Sequence, residues 1–455
     1  MFKTEYLSQS YNYNKFSNRL KVICFLIIWC LFILYFFTHP QVVQANNHIA
    51  YPQMKFAVIT DPHVFDIEGN IDTPMYLKYG VEDREFLQLS SEILETAVDR
   101  IIKKNNLDFV IIAGDLTDSG DIKSHKAVAN ILRMFNEHGI DVYIIPGNHD
   151  GFNTNDFTNT NIQREIISPN QFINIYQNCG YSEAKFRDDN SLSYVVEPVE
   201  GLWLLMIDSC IYNSKKHHHV CNGRIREATQ KWLDNILNKA NSKNKAVIGV
   251  LHHSLVEHYH GQDRFFSQYI VDDFKVLSKQ FAAQNMKVVF TGHHHAQDIV
   301  KQEFSNNTFI YDIETSSLIG YPNAYRIVEI NINNEMLIRS EYIKKIPTYP
   351  DNLSNYTKNY VEKRVIDVAK EKLENYHLNP QNEVKIAKQA ALAMMTHYVG
   401  NEQLSESLSI KDLSIWAKFI YSFYKNLLTS LYTDLAPDDL NIKIDLQNGN
   451  WTKLE

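Results

Sequence analysis

The chain has 455 residues, 44% hydrophobic and 22% charged, enough apolar content for real cores and, by length, about three domains. Its formal net charge is -8, and it has no run of Lys and Arg long enough to track a polynucleotide. Nucleic acid polymers are therefore disfavoured as partners, because binding them rests on neutralising phosphates.

Residues 1–45 stand apart. Lys3, Lys15, Arg19 and Lys21 precede an uncharged run from Val22 to Phe37; Pro40 and Val43-Gln44-Ala45 follow. Basic start, apolar run and small residues are the order of a secretory signal peptide. The run falls short of the ~20 residues of a transmembrane span, and the alternative is an uncleaved membrane anchor with its basic end in the cytoplasm. Either way the remainder is expected outside the cytoplasm, secreted or held at the cell surface. Cys24 and Cys30 lie in this segment, leaving Cys179, Cys210 and Cys221 beyond it. Cys210 and Cys221 flank one loop, where they either pair in an oxidising compartment or stay free.

From Lys55 the pattern becomes strand, loop, helix, strand. The strand FAVIT ends at Asp61-Pro62-His63, and a polar loop over residues 64–79 leads to a predicted helix over Val81–Lys104. Phe86, Leu89, Ile93, Leu94, Ala97 and Ile101 share one face of that helix. Strand FVIIA ends at Gly114-Asp115, a helix is predicted over Ser124–His138, and the strand from Val142 to Ile145 runs into Pro146-Gly147-Asn148-His149-Asp150. Residues 151–191 are polar and irregular, with a helical piece near Pro169–Cys179. Strands SLSYVVEP and LWLLMIDS follow, then a loop over Cys210–Arg224 that holds Lys215, Lys216 and His217-His218-His219. A helix over Glu227–Ala240, strand KAVIGV ending at His252-His253, a helix over Asp272–Gln284 and strand KVVF ending at Gly292-His293-His294-His295 come next. TFIYDIET, AYRIVEIN and MLIRSEYI finish the sheet near Ile343. Strands alternating with helices of this length predict an α/β layered domain with crossover connections, here bounded at 50–346.

Past Pro347 strand signals are lacking. Helical stretches are predicted over Ser354–Tyr376, Asn379–Tyr398 and Ile410–Tyr432, making residues 350–455 a small C-terminal helical domain.

Five strand ends deliver Asp, Asn and His, and open α/β sheets keep their sites at such ends. Asp61, His63, Asp115, Asn148, His252, His293 and His295 offer carboxylate, amide and imidazole donors without thiolate, which suits two divalent ions such as Mn, Fe or Zn. Two ions ~3.5–4 Å apart can hold a phosphoryl group and activate water for in-line attack. A bridging carboxylate keeps such a pair together, and Asp115 is the candidate. A purely structural metal site is the alternative use of the same residues.

These blocks resemble the calcineurin-like metallophosphoesterases. The pattern D-x-H, G-D-x-x-D, G-N-H-D/E, H, G-H-x-H is complete and in order as Asp61/His63, Asp115/Asp118, Asn148/His149/Asp150, His252 and His293/His295. The resemblance implies a layered sandwich of mixed sheets flanked by helices. It also implies one ion on Asp61, His63, Asp115 and His295, and a second on Asp115, Asn148, His252 and His293. His149 would act beside them as an acid or charge stabiliser, oriented by Asp118. The family pattern takes His252 rather than His253, and turns His294 away from the ions. The segments IDSCIYN, NGRI, QKWLDNIL and ETSSLIGYPNAYRIVEI, with a helical region after them, resemble exported bacterial class III cyclic-nucleotide phosphodiesterases. That implies a small phosphodiester substrate, a 3′,5′-cyclic nucleotide first. A phosphomonoesterase with the same core and a surface-anchored binding module are the competing expectations. The Lys215–His219 stretch matches no family motif.

Overall fold

A computed structural model of the chain describes residues 49–66, 81–104, 106–151, 167–212, 220–305, 307–402 and 411–454. The expected signal or anchor at 1–45 and the Lys215–His219 stretch lie outside the described residues. Among the described residues no helix is long and apolar enough to cross a membrane.

β1 (Met54–Ile59), β2 (Phe109–Ala113) and β3 (Asp141–Ile145) are β-branched, almost wholly buried runs that pair in parallel, Phe56 with Phe109 and Val110 with Val142. Parallel neighbours require crossovers. α1 (Val81–Leu87) and α2 (Ser90–Lys104) lie between β1 and β2, and α3 (Ile122–Glu137) between β2 and β3. The single helix expected over Val81–Lys104 is thus two. At the break the Ser90 hydroxyl donates to Leu87 O and accepts from Phe65 N, a local bond that competes with helix continuation. α3 starts two residues earlier than expected because Asp121 accepts from the N–H groups of Lys123 and Ser124 as its cap. α4 (Pro169–Ile175) carries a capping box between Ser168 and Gln171.

Two seven-stranded sheets result. The second runs β4 (Phe186–Arg187), β5 (Tyr194–Val196), β6 (Leu202–Met206), β7 (Ala246–Val250), β8 (Val288–Thr291), β10 (Phe309–Glu314) and β9 (Asp298–Glu303). β6, β7, β8 and β10 are parallel. Along β6 the side chains alternate. Leu202, Leu204 and Met206 join Phe56 and Val58 between the sheets, whereas Trp203 and Leu205 pack with α5 (Glu227–Ser242) and α6 (Phe274–Ala283) through Leu233, Ile236 and Phe281. The Phe56 and Phe290 rings meet edge-on across the sheets, 5.5 Å between centroids. Each such buried side chain is worth about 1.5–3 kcal/mol. This is the mixed-sheet sandwich flanked by helices that was expected.

In the first sheet β11 (Ala324–Ile330) and β12 (Glu335–Tyr342) extend antiparallel from β1. α7 (Leu353–Glu374), α8 (Pro380–Tyr398) and α9 (Ile415–Ser430) then form the helical region, packed around Leu373, Ile386, Ala387, Ile420 and Leu428. One expectation fails here. The tail after α9 is not helical: β13 (Asn441–Asp445) and β14 (Trp451–Lys453) return to the first sheet and pair beside β12. Ile442, Ile444 and Leu446 alternate and bury against that sheet, a period-2 signal too short to stand out beside three helices. Cys179, Cys210 and Cys221 are free thiols, and Cys210 Sγ lies 3.4 Å from Pro146 O.

Candidate active site

All nine predicted site residues sit at or just beyond the carboxyl ends of β1, β2, β3, β7 and β8, so both sheets feed one place. Asp61, His63, Asp115, His293 and His295 have positive φ, between 40° and 72°. Non-glycine residues in that region cost of order 1–3 kcal/mol each and persist only where their surroundings fix them. Main-chain bonds do so: Asp61 N donates to Gly114 O, His63 N to Asp115 O, and His293 N lies 3.1 Å from Asp61 Oδ2. Two motif glycines are present for space. A Cβ on Gly147 would collide with Asp115, and one on Gly292 with the Asp61 carboxylate.

The donors fall into two groups. In the first, His63 Nε2 lies 3.3 Å from His295 Nε2 and 3.8 Å from Asp61 Oδ1, with His295 Nε2 3.3 Å from the same oxygen. In the second, His252 Nε2 lies 3.2 Å from Asp115 Oδ2 and 3.1 Å from Asn148 Oδ1, and His293 belongs to the same cluster. Asp115 Oδ2 is also 3.6 Å from His63 Nε2, so one carboxylate oxygen faces both groups. Around a divalent ion with bonds of about 2.0–2.2 Å, neighbouring donor atoms stand roughly 2.8–3.6 Å apart. The spacing and the donor chemistry both fit a pair of ions.

Outer contacts fix the imidazoles. His252 Nδ1 is 2.9 Å from Ala113 O, which fixes a proton there and turns Nε2 towards Asp115; burial opposes charge on this ring, but Asp115 and Asp61 raise its pKa to about 9, so a cation at Nε2 would replace a proton. His293 Nε2 is bonded to the carbonyls of Cys221 (3.0 Å) and Gln268 (3.1 Å), leaving Nδ1 for a ligand. Burial holds the His63 pKa down at about 4 and that of His293 well below the ordinary value, so both are neutral, as ligation requires. Burial would raise the Asp115 carboxyl, but the imidazoles of His252, His149 and His63 together hold it well below the carboxylate range.

His149 stands beside this set. Its Nδ1 lies 2.9 Å from the main-chain carbonyl of Asp118, its N–H donates to Asp115 Oδ1 at 2.8 Å, and its ring is edge-on to His63 at 4.8 Å. The hydrogen bond with Asp118 that orients the ring is accepted by its main-chain carbonyl. The Asp118 carboxylate also belongs to a cluster with His63 and His149. Burial disfavours charge on His149, but Asp115 and Asp118 outweigh it and raise its pKa above the usual imidazole value.

A sequence profile described as calcineurin-like phosphoesterase matches residues 54–297, more than half of the chain, and contains every one of these residues. The chain belongs to the calcineurin-like phosphoesterase family. The phosphoesterase is 22% identical over 200 residues to a probable cyclic nucleotide phosphodiesterase of Fibrobacter succinogenes (44% of this chain, 61% of the relative). It is 25% identical over 281 residues to sphingomyelin phosphodiesterase 2 of Caenorhabditis elegans (57% and 44%). It is 28% identical over 161 residues to a probable glycerophosphodiester phosphodiesterase of Arcobacter nitrofigilis (34% and 47%). The matches thus span less than two thirds of each relative. A dimetal phosphatase structure from Danio rerio superposes with a TM-score of 0.46 at 16% identity, over 64% of this chain and 97% of that one.

The remaining motif residues of the phosphoesterase are scaffold. His253 Nδ1 contacts Ser209 Oγ at 2.7 Å and its Nε2 contacts Cys221 O at 3.0 Å, so it braces the second group from the IDSC segment. Asp150 accepts from the N–H groups of Leu116, Thr117 and Gly147, tying two site loops together. His294 is buried among the rings of Tyr259, Tyr269 and His397.

Sequence reasoning missed a buried polar network behind His294. His258 Nδ1 lies 2.9 Å from Asp298 Oδ1, and its Nε2 faces Asp312 (3.5 Å) and Glu314 (3.7 Å). His397 of α8 contacts Asp298 (3.3 Å) and Glu402 (2.9 Å), while Asp312 accepts from Leu255 N and Thr291 Oγ1. One signal was available: Asp312 and Glu314 are acids inside the otherwise apolar strand FIYDIE, a local rule broken without local compensation. Sequence reasoning also missed a cavity of about 580 Å³ that opens at His63, His149 and His295 and runs between the sandwich and the helical region.

Proposed function

We propose that this phosphoesterase is a dinuclear metal-dependent hydrolase of phosphodiesters. The observation that carries the reading is the position of Asp115 Oδ2, 3.6 Å from His63 Nε2 and 3.2 Å from His252 Nε2. One oxygen facing two donor groups is what a bridged pair of cations needs. In this reading Asp61, His63, Asp115 and His295 hold one ion, and Asp115, Asn148, His252 and His293 the other, with Mn, Fe or Zn suited to oxygen and nitrogen donors. Two such ions would supply Lewis acidity toward the phosphoryl oxygens and toward the attacking water.

The chain's own residues do the rest. Ala113, Cys221 and Gln268 carbonyls set the tautomers of His252 and His293. His149, oriented at Nδ1 by the Asp118 carbonyl, can deliver a proton to the leaving oxygen. A diester is preferred to a monoester because the three curated relatives are each named phosphodiesterases. A 3′,5′-cyclic nucleotide is one member of that class, supported by the name of the Fibrobacter relative. The charged and apolar order of residues 1–45 supports export of the hydrolase, either free or membrane-anchored.

The test compares bis(4-nitrophenyl) phosphate with 4-nitrophenyl phosphate on protein whose bound metal is measured in the same sample. Faster metal-dependent turnover of the diester is expected. A clear monoester preference would make the chain a phosphomonoesterase, and no turnover by metal-loaded protein would leave it a binding module.

A further inference from the structure

The cavity beside the metal donors is large and has two unlike ends. Its volume of about 580 Å³ lies within the roughly 300–1,000 Å³ of small-molecule sites. At one end stand His63, Asp118, His149 and His295. The other end reaches into the core of the helical region, where Ile386 and Met394 of α8 and Leu427 and Leu428 of α9 line it. The charges along its wall are engaged with the protein itself: Arg364 pairs with Asp83 at 3.6 Å, and the Lys372 ammonium lies 5.3 Å above the Phe266 ring.

Beside the hydroxyls of Tyr398 and Tyr424 the far end offers mainly Leu, Ile and Met, and each polar edge of a base or ribose that meets only these is left unpaired at about 1–3 kcal/mol. A hydrocarbon chain has no such cost and gains from every methylene buried.

The outer face of α9 carries a second observation. Ile415, Trp416, Phe419 and Phe423 share one side of that helix and are each at least half exposed. Trp416 stacks on Phe419 at 5.4 Å, and Phe419 meets Phe423 edge-on at 4.9 Å, so they form one apolar ladder. The helix that buries Leu427 and Leu428 in the cavity wall thus offers aromatic side chains to the outside. Such a stripe on a helix is suited to the boundary layer of a lipid surface.

We infer that the substrate is a phosphodiester bearing a long alkyl or acyl chain, drawn from a lipid surface through the outer face of α9. The chain lies in the cavity and the diester sits at the His149 end. This inference rests on the phosphodiesterase reading above. In the reaction the water oxygen forms the new bond to phosphorus and one ester P–O bond breaks. The leaving oxygen keeps the bonding electrons and takes a proton, giving a phosphomonoester and an alcohol with no change of oxidation state.

The experiment uses the full chain loaded with Mn²⁺ and a series of methyl, butyl and octyl 4-nitrophenyl phosphodiesters, all below micelle-forming concentration, with 3′,5′-cyclic AMP beside them. kcat/KM should rise with chain length by up to about fourfold per methylene buried. Ala390→Trp in α8 and Val365→Trp in α7, filling the cavity from two helices, should each pull the octyl-to-methyl ratio towards one. A flat chain-length profile, a ratio unchanged in both variants, or cyclic AMP as the best substrate would overturn the inference and leave the phosphodiesterase reading intact. No diester turnover by protein carrying two ions would instead defeat that reading. For the source, the long-chain diester is presented in phosphatidylcholine vesicles to a Trp416→Ser, Phe419→Ser, Phe423→Ser variant. A tenfold or greater fall on vesicles, with the dissolved octyl ester still turned over, is expected; an unchanged vesicle rate would overturn the docking face.

Discussion

The Nε2 atoms of His63 and His295 face each other across 3.3 Å. Both nitrogens also face the Asp61 carboxylate, so three potential ligand atoms converge on one point. A shared cation resolves that arrangement, and its binding free energy becomes folding free energy. Stabilisation by a ligand of the native state follows RT ln(1 + [L]/Kd), about 2.7 kcal/mol at a hundredfold excess over Kd. Removing metal by chelation should therefore lower the melting temperature and abolish turnover, and Mn²⁺ should restore both. A melting temperature indifferent to chelator on protein shown to be metal-free would mean that the donors are held by the fold alone.

Asp115 joins the two donor groups through a single oxygen, while its other oxygen accepts the His149 N–H. Asp115→Asn keeps the size and removes the charge. Two cations close together are then no longer screened from each other, and metal content should drop from two ions per chain towards one or none. Turnover should fall by at least the ~10²-fold that a misplaced reacting group costs. Elemental analysis finding two tightly held ions in an active Asp115→Asn protein would refute the bridge.

The site was legible because each donor follows a strand of apolar, β-branched residues, and strand ends converge whatever the loops between them do. Asp61, Asp115, Asn148, His252 and His293 could be placed from that rule alone, and the structure brings all five together. What escaped was long-range. Nothing near His397 in the sequence says that it meets Asp298, ninety-nine residues earlier in the chain, because α8 must first dock on the second sheet. β13 and β14 escaped for a related reason: five residues of alternation acquire meaning only beside β12. That Asp118 holds His149 Nδ1 through a carbonyl could not be read either, since side-chain identity carries no information about backbone acceptors.

The network behind His294 has its own pH signature. Burial opposes charge on His258, but Asp298, Asp312 and Glu314 outweigh it and raise its pKa well above the ordinary value. A raised folded-state pKa gives stability that is complete below the unfolded value of about 6.5 and is lost as pH rises through the folded value. Glu314, pushed up to about 8 by burial, changes stability in the same direction over its own window, from the ordinary carboxylate range upward. The melting temperature should therefore decline between pH 6 and pH 9. His258→Gln removes the cation that faces Asp298 and Asp312 and should cost on the order of 3–5 kcal/mol at pH 6. Its decline from pH 6 to pH 9 should also be shallower than the parent's. A variant with the parent's slope would assign the pH dependence to other groups.

His149 separates chemistry from metal holding. It adjoins Asn148, shares Asp115 through its main-chain N–H, and has Nδ1 committed to the Asp118 carbonyl. Burial disfavours its charged form, but the Asp115 and Asp118 carboxylates raise its pKa above the usual imidazole value, which favours the protonated ring. A general acid of this kind contributes typically ~10²–10⁴-fold, and most where the leaving oxygen is strongly basic. His149→Ala should therefore lower kcat by about that factor on alkyl diesters, and by much less on a 4-nitrophenyl leaving group, whose oxyanion needs no proton. Bound metal should stay at the parent's level, since the N–H to Asp115 belongs to the backbone and survives the substitution. The measurement is kcat across leaving groups of graded basicity, with metal content determined on the same samples. Equal losses at every leaving group with both ions retained would make His149 a stabiliser of phosphoryl charge, and loss of the ions would make it a ligand.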